Sequence, residues 1–227
     1  MKVKLISYSM PTQEFNDELG LDTVQELIAY CAKVSNPTNQ ANLESVDKLI
    51  NYLIKNQHWS PFEMASACIE IETTRDIARQ ILRHRTFSFQ EFSQRYADVR
   101  SLDNNFITRE ARLQDTKNRQ NSVPTDNTTL KSEWLAKQQA VIDLAKTTYS
   151  WAIEKGIAKE QARCVLPEGN TKSRLYMNGT MRSWIHYIQL RSANGTQKEH
   201  QEIAIACAVE LATIFPLIIQ LGGINNG

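Results

Sequence analysis

The chain has 227 residues, 41% hydrophobic and 22% charged, a length that suits one sizeable domain. With 26 basic and 25 acidic residues the formal net charge is +1. That balance argues against a globally basic nucleic-acid coat and against a disordered acidic tail. It also hides an asymmetry. All 13 arginines lie at or after Arg75, nine of them between Arg75 and Arg119, and the first 74 residues carry only lysine. Arginine suits bidentate binding of phosphate and carboxylate, so the middle of the chain is expected to hold an anion.

The opening MKVKLISYSMP has no apolar stretch and no cleavage site of a signal peptide. Cys31, Cys68, Cys164 and Cys207 are scattered without a C-x-x-C pair and read as reduced thiols of a cytoplasmic protein. Residues 3–8 read as a strand. Asp22 is placed to cap a helix carrying Val24, Leu27, Ile28 and Cys31 on one face. Val46, Leu49, Ile50, Leu53 and Ile54 mark a second helix, ended before Pro61. Residues 65–72 alternate Ala65, Ala67, Ile69 and Ile71 against Ser66, Cys68, Glu70 and Glu72, the pattern of a half-buried strand. Thr73-Thr74-Arg75-Asp76 then offers a capping-box start to a helix with Ile77, Ile81 and Leu82 inward. Its pattern fails near Thr86, and a polar-aromatic loop is expected through Tyr96.

Residues 114–129 (QDTKNRQNSVPTDNTT) are almost wholly polar and read as a mobile surface loop, Arg119 included. A long amphipathic helix follows over 130–155, with Gly156 as its C-terminal cap. A short helix over 158–165 stops at Pro167, and helices over 180–190 and 197–221 complete the chain. Within the last, residues 203–221 carry one charge, Glu210, and nearly match a bilayer in length. The central charge, Pro216 and the hydrophilic surroundings favour a buried core helix over a membrane span. The fold class expected is α+β: a single helix-rich domain over 1–227, with about twice as much helix as strand.

Three constellations carry chemistry. The densest is Arg83-His84-Arg85-Thr86-Phe87-Ser88-Phe89-Gln90-Glu91-Phe92-Ser93-Gln94-Arg95-Tyr96, where arginines leaving a helix end alternate with aromatics. Such a segment can converge on one anion and pack Phe87, Phe89, Phe92 and Tyr96 on a ring. The second is His58-Trp59-Ser60-Pro61-Phe62-Glu63, read either as acid–base or ring-edge chemistry or as a packed turn before a strand. The third holds Arg163, Arg182 and Arg191, with His186 one turn after Arg182. In apolar surroundings these arginines need partners. His58, His84, His186 and His200 lack H-x3-H spacing, so no metal site is expected. No G-x-G-x-x-G or Walker loop occurs.

In this order the three constellations resemble the flavin-dependent thymidylate synthases. The signature of that family is R-H-R-x-x-S followed by x4-S-x-R, and Arg83-His84-Arg85, Ser88, Ser93 and Arg95 match every fixed position. His58-x-Ser60-Pro61-Phe62-Glu63 is similar to the upstream element, Ala162 to Pro167 to the A-R-x-x-L-P element, and Arg182 and Arg191 to two downstream arginine elements. The departures are Thr180 and His186 where members often carry asparagine, and Gly195 where they often carry histidine. The resemblance implies the family's own α/β fold with a central, mostly antiparallel sheet, and a homotetramer with active sites between subunits. It implies reductive methylation of dUMP to dTMP, with methylenetetrahydrofolate as carbon donor and FAD reduced by NADPH as hydride source.

By position, the resemblance assigns Ser60, Arg83, His84, Arg85, Glu91, Thr180, Arg182 and His186 to FAD. It assigns Gln80, Arg83, Glu91, Phe92, Ser93, Gln94, Arg95, Arg163 and Arg191 to dUMP, and His58 and Glu63 to a folate or flavin contact. Arg191 is the catalytic residue expected, because a cation at the uracil edge stabilises the charge that activates the ring without a cysteine nucleophile. Ser93 is read as a binding residue rather than a nucleophile. The competing reading is a single-stranded nucleic-acid binder that stacks bases on the Arg/Phe loop. The near-zero net charge, Glu63 and Glu91 count against it, and no membrane partner is expected.

Overall fold

The computed structural model describes residues 2–102 and 105–221. Among them are six strands: β1 (Lys2–Tyr8), β2 (Ser66–Thr74), β3 (Ser88–Glu91), β4 (Arg112–Gln114), β5 (Ser122–Pro124) and β6 (Lys172–Thr180). The order β1-β2-β6-β3 makes one antiparallel sheet, and β4 and β5 pair separately. β2 behaves as its alternation demands, with Ala67, Ile69 and Ile71 buried. β6 is a central strand that sequence reasoning omits. Its inward positions are Ser173, Leu175, Met177 and Gly179, so only two of the four are large and apolar. The outward face is polar and paired: Arg174 meets Glu72 at 2.6 Å, and the Tyr176 hydroxyl donates to Glu70 at 2.8 Å.

Nine α-helices are described: α1 (Gln13–Leu19), α2 (Val24–Ala32), α3 (Val46–Lys55), α4 (Arg75–Ile81), α5 (Thr128–Glu154), α6 (Lys159–Ala162), α7 (Met181–Arg191), α8 (Lys198–Ala212) and α9 (Ile218–Leu221). Of these, α4, α7 and α8 pack on the inner face of the sheet. The main core joins Ile69, Ile71, Leu175 and Met177 of the sheet to Trp184, Ile185 and Ile188 of α7 and to Ile203, Cys207 and Leu211 of α8. Trp184 donates its indole N–H to the Ala67 carbonyl at 3.0 Å, so even its polar atom is satisfied.

Several boundaries differ from expectation for identifiable reasons. α2 is capped by Thr23 rather than Asp22, because Thr23 and Glu26 exchange both bonds of a capping box. α1 is an unexpected helix, capped by Thr12. Thr74 starts α4, but its hydroxyl bonds Asp76 at 2.6 Å instead of a helix N–H. α4 ends at Ile81, short of Thr86, and the loop expected to follow contains strand β3. The polar 114–129 segment is not one loop. Arg112–Gln114 and Ser122–Pro124 form a hairpin, with Asp115 accepting from the backbone N–H of Lys117 and Asn118. Asn127 then caps α5, which begins at Thr128.

The apolar 203–221 segment is split between α8 and α9, and no described helix is long and apolar enough to cross a membrane. Its one charge has a structural reason. A Glu210 carboxylate oxygen accepts from the Leu5 backbone N–H at 2.9 Å, where the β1–β2 register shifts between Leu5 and Ser7.

Gly179 is required by a close approach. A Cβ there would lie 2.4 Å from Cδ1 of Phe87, whose ring is itself packed against Trp184 and Tyr187. Gly179→Ala is therefore expected to destabilise the fold by about 1–3 kcal/mol. Denaturant unfolding checks this, and wild-type stability in the variant would mean that the ring yields freely.

Candidate active site

The segment after α4 runs antiparallel to α7, and their residues pair off in turn. Ser183 donates to the Thr86 carbonyl at 3.4 Å, Phe87 stacks edge-on against Trp184, and His84 stacks edge-on against Tyr187. At the far end of α7, Arg191 Nε donates to His84 Nε2 at 2.9 Å. A guanidinium only donates, so Nε2 must hold a lone pair and His84 carries its proton on Nδ1. Burial, with help from the Arg191 and Arg83 charges, holds His84 down at about 4, so it is neutral at pH 7. Arg191 keeps its terminal nitrogens for another partner. Arg83 and Arg85 on either side of His84 are exposed and form no ion pair among the described residues.

Below this pair, Gln80 of α4 hydrogen-bonds Gln197 at 2.8 Å and His200 of α8 at 3.2 Å. His200 is fully buried and was not among the residues expected at the site. Burial first, then the Arg191 and His84 charges, lower it to about 3. In the sequence it is a lone histidine at the start of an apolar helix, with nothing local to single it out.

A second cluster forms at the other end of α7. Arg182 pairs with Glu63 at 2.8 Å, and the His186 ring sits edge-on to Trp59 with centroids 4.6 Å apart. Burial and the Arg182 charge lower His186, and Glu63 opposes them. Arg182 and Arg191 stand nine residues apart on one helix, about 13 Å along its axis. Ser60 opens the 3-10 turn Ser60–Met64 that carries Glu63. Thr180 is the N-cap of α7, its hydroxyl accepting from Ser183 N–H, which occupies the side chain expected to face a flavin. His58 does not join Glu63: it is exposed, with its ring against Tyr52.

The remaining motif residues lie around β3 and α6. Arg95 approaches Glu160 at 3.7 Å, and Arg163 Nε donates to the Glu160 carbonyl at 3.3 Å, so these two arginines share one neighbourhood. Gln94 is almost fully buried, yet its Nε2 has no partner, a cost unless an acceptor arrives. Glu91 is engaged by the protein itself, by Arg75 at 3.3 Å and Ser173 at 2.7 Å. Ser93 is exposed, and no histidine or carboxylate bonds its hydroxyl among the described residues. Of the four aromatics expected on a ligand ring, Phe87 is in the core, Phe89 packs against it, Phe92 is half-buried and only Tyr96 is open, at 86% exposure. That arrangement removes the base-stacking platform of the nucleic-acid reading. Arg119 is exposed in the turn between β4 and β5, as expected of loop surface. It lines a cleft of about 570 Å³ with Arg109, Arg112, Trp134 and Gln197.

The antiparallel sheet and its flanking helices gather the motif arginines, histidines and glutamine into clusters at the two ends of α7, without an exposed aromatic platform for bases among the described residues. Comparison with known proteins agrees. The family described as thymidylate synthase complementing protein matches residues 20–217. A probable flavin-dependent thymidylate synthase of Paramecium bursaria Chlorella virus 1 is 47% identical over 220 residues, covering 97% of this chain and 98% of that protein. The flavin-dependent thymidylate synthase of a Synechocystis strain is 46% identical over 222 residues, covering 96% and 97%. A crystal structure of the UMP/dUMP methylase PolB from Streptomyces cacaoi, bound with 5-Br dUMP, has a TM-score of 0.80 at 25% identity, covering 97% of this chain and 93% of that one. The chain belongs to the flavin-dependent thymidylate synthase family.

The neutral histidines set a pH dependence. His84 at about 4 and His200 at about 3 both lie below the ordinary 6.5, so the unfolded chain binds more protons than the folded one in between. Their stabilisation is complete above about pH 6.5 and is lost as pH falls towards 4. Thermal unfolding should show a falling midpoint from pH 6.5 to 5, with a smaller fall in His84→Asn. Equal falls in the two proteins would remove His84 from the explanation.

Proposed function

We propose that this chain methylates dUMP to dTMP, taking the carbon from methylenetetrahydrofolate and using FAD reduced by NADPH. Family membership supports the reaction class, and the observation that carries the reading to residues is the Arg191–His84 contact. It joins the R-H-R-x-x-S segment to the downstream arginine element through the Arg191 Nε, so the terminal nitrogens are not used in that bond. The donor set suits FAD. Among the described residues Arg83 and Arg85 form no ion pair, which suits a pyrophosphate site, and Gln94 has a buried donor without a partner there. Arg182 and Ser60 complete the flavin-binding set by position. His186, held beside Arg182, takes the place where relatives often carry asparagine, with Glu63, paired to Arg182, next to it. Bound flavin, once reduced, supplies the hydride that turns a transferred methylene into a methyl group.

The protein's own part is binding and charge. Arg95 and Arg163 hold the dUMP phosphate, with Gln80, Ser93 and Gln94 around the nucleoside. Arg191 faces the uracil N3/O2 edge and stabilises the negative charge that makes C5 nucleophilic. Neutral His84 serves as the acceptor that orients Arg191, and a protonated His84 would repel it. Burial raises Cys31, Cys68 and Cys207, three of the four cysteines, rather than activating them as nucleophiles.

The whole chain acts as one catalytic unit, and four copies assemble around the sites. Trp134, Val141, Leu144 and Trp151 form an exposed apolar stripe on α5 at helical spacing, suited to burial against another copy. The scattered free thiols agree with a cytoplasmic location.

Purified protein given FAD, NADPH, methylenetetrahydrofolate and dUMP should turn yellow and form dTMP, measured by chromatography; no dTMP under these conditions refutes the reading. Arg191→Ala should lose about 10²–10³-fold in turnover while still binding FAD. Arg95→Ala should weaken dUMP binding by about ten- to a hundredfold. An unaltered dUMP affinity would move Arg95 out of the phosphate site.

A further inference from the structure

Five side chains form a directed relay that passes through Gln80, and its sense can be worked out from one end. Glu199 is a carboxylate held by Arg112 at 2.6 Å, and as an acceptor it takes Gln197 Nε2–H at 3.0 Å. With its Nε2 used there, Gln197 turns Oε1 to Gln80, which must offer its own Nε2–H at 2.8 Å. Gln80 Oε1 then faces His200 Nδ1 at 3.2 Å, so Nδ1 is the protonated nitrogen. His200 Nε2 is left as an acceptor, and the Tyr187 hydroxyl supplies its hydrogen at 3.2 Å. Each link fixes the next, and the reverse sense would place an amide oxygen against a carboxylate. His200 is completely buried, so it has no water to choose instead.

We propose that His200 is a positioning residue that locks the Gln80 amide in one of its two flips and thereby sets which pyrimidine edge the site accepts. The proposal rests on the reading that Gln80 holds dUMP. After its two protein bonds, Gln80 retains one N–H and one carbonyl lone pair, in a fixed order along its edge. Uracil presents a ring N–H between two carbonyls, and cytosine presents a ring acceptor beside an amino donor. A free amide turns over and reads either pattern, while a locked amide reads one. The discrimination therefore originates in residues that never touch the base, with Glu199 as the anchor that gives the relay its direction.

Three variants of the FAD-loaded enzyme test this. His200→Phe keeps the volume and removes both bonds. His200→Asn keeps an amide donor near the Nδ1 position. Glu199→Gln keeps the shape but offers a donor as well as an acceptor, so the relay loses its sense. His200→Phe and Glu199→Gln should each raise the KM for dUMP about tenfold with a smaller fall in kcat, and should narrow the preference for dUMP over dCMP in competitive binding. His200→Asn should recover most of that preference. If His200→Phe does not fold, the Glu199→Gln and His200→Asn pair decides the matter. Unchanged discrimination in folded, FAD-loaded variants overturns the proposal and leaves the enzyme's function standing. A wild-type protein that neither binds nor methylates dUMP overturns the parent reading, and the role of Gln80 with it.

Discussion

The nine-residue register between β2 and β6 is the constraint on which the rest depends. It runs from Ser66 opposite Thr180 to Thr74 opposite Lys172, without a slip. α4 begins at the residue after β2, and α7 at the residue after β6. The helices therefore leave from opposite ends of the sheet and lie back across the same face. A one-residue slip would turn Ile69, Ile71, Leu175 and Met177 to solvent and move α7 off the segment after α4. The run of pairings from Thr86–Ser183 to His84–Arg191 is a consequence of that register.

Much of this was legible in the sequence, and the failures share a cause. β2 announced itself because large apolar residues fill alternate positions. β6 did not, because its inward face includes a serine and a glycine, each there for a tertiary reason. Ser173 donates to Glu91, and Gly179 admits the Phe87 ring. The hairpin of β4 and β5 was hidden in the same way, since its strands are short, polar and exposed. The motif residues were visible as a set, but not their pairings. Thr180, singled out as a ligand contact, also caps a helix. His200 looks like a core histidine and is hydrogen-bonded to a motif glutamine. Local pattern reports periodicity and composition, whereas these roles depend on what the sheet brings alongside.

Charge in the molecule is arranged so that the protein neutralises some arginines and leaves others. Arg75, Arg109, Arg112, Arg174 and Arg182 each meet a carboxylate. Among the described residues Arg83, Arg85 and Arg191 meet none, and Arg191 is held by a neutral ring instead. The arginine-rich middle of the chain thus divides into structural ion pairs and cations kept available. A net charge near zero reports only their sum.

The contact of Glu210 with Leu5 has a consequence at the rim of the sheet. β1 is an edge strand, and a free edge is a template on which a second chain can add a strand. At the register shift, the N–H that would receive such a strand is already occupied by a carboxylate from α8. An incoming carbonyl would have to displace that carboxylate and approach its negative charge. One glutamate inside an apolar helix therefore occupies a backbone donor of β1 that strand addition at this edge would otherwise use.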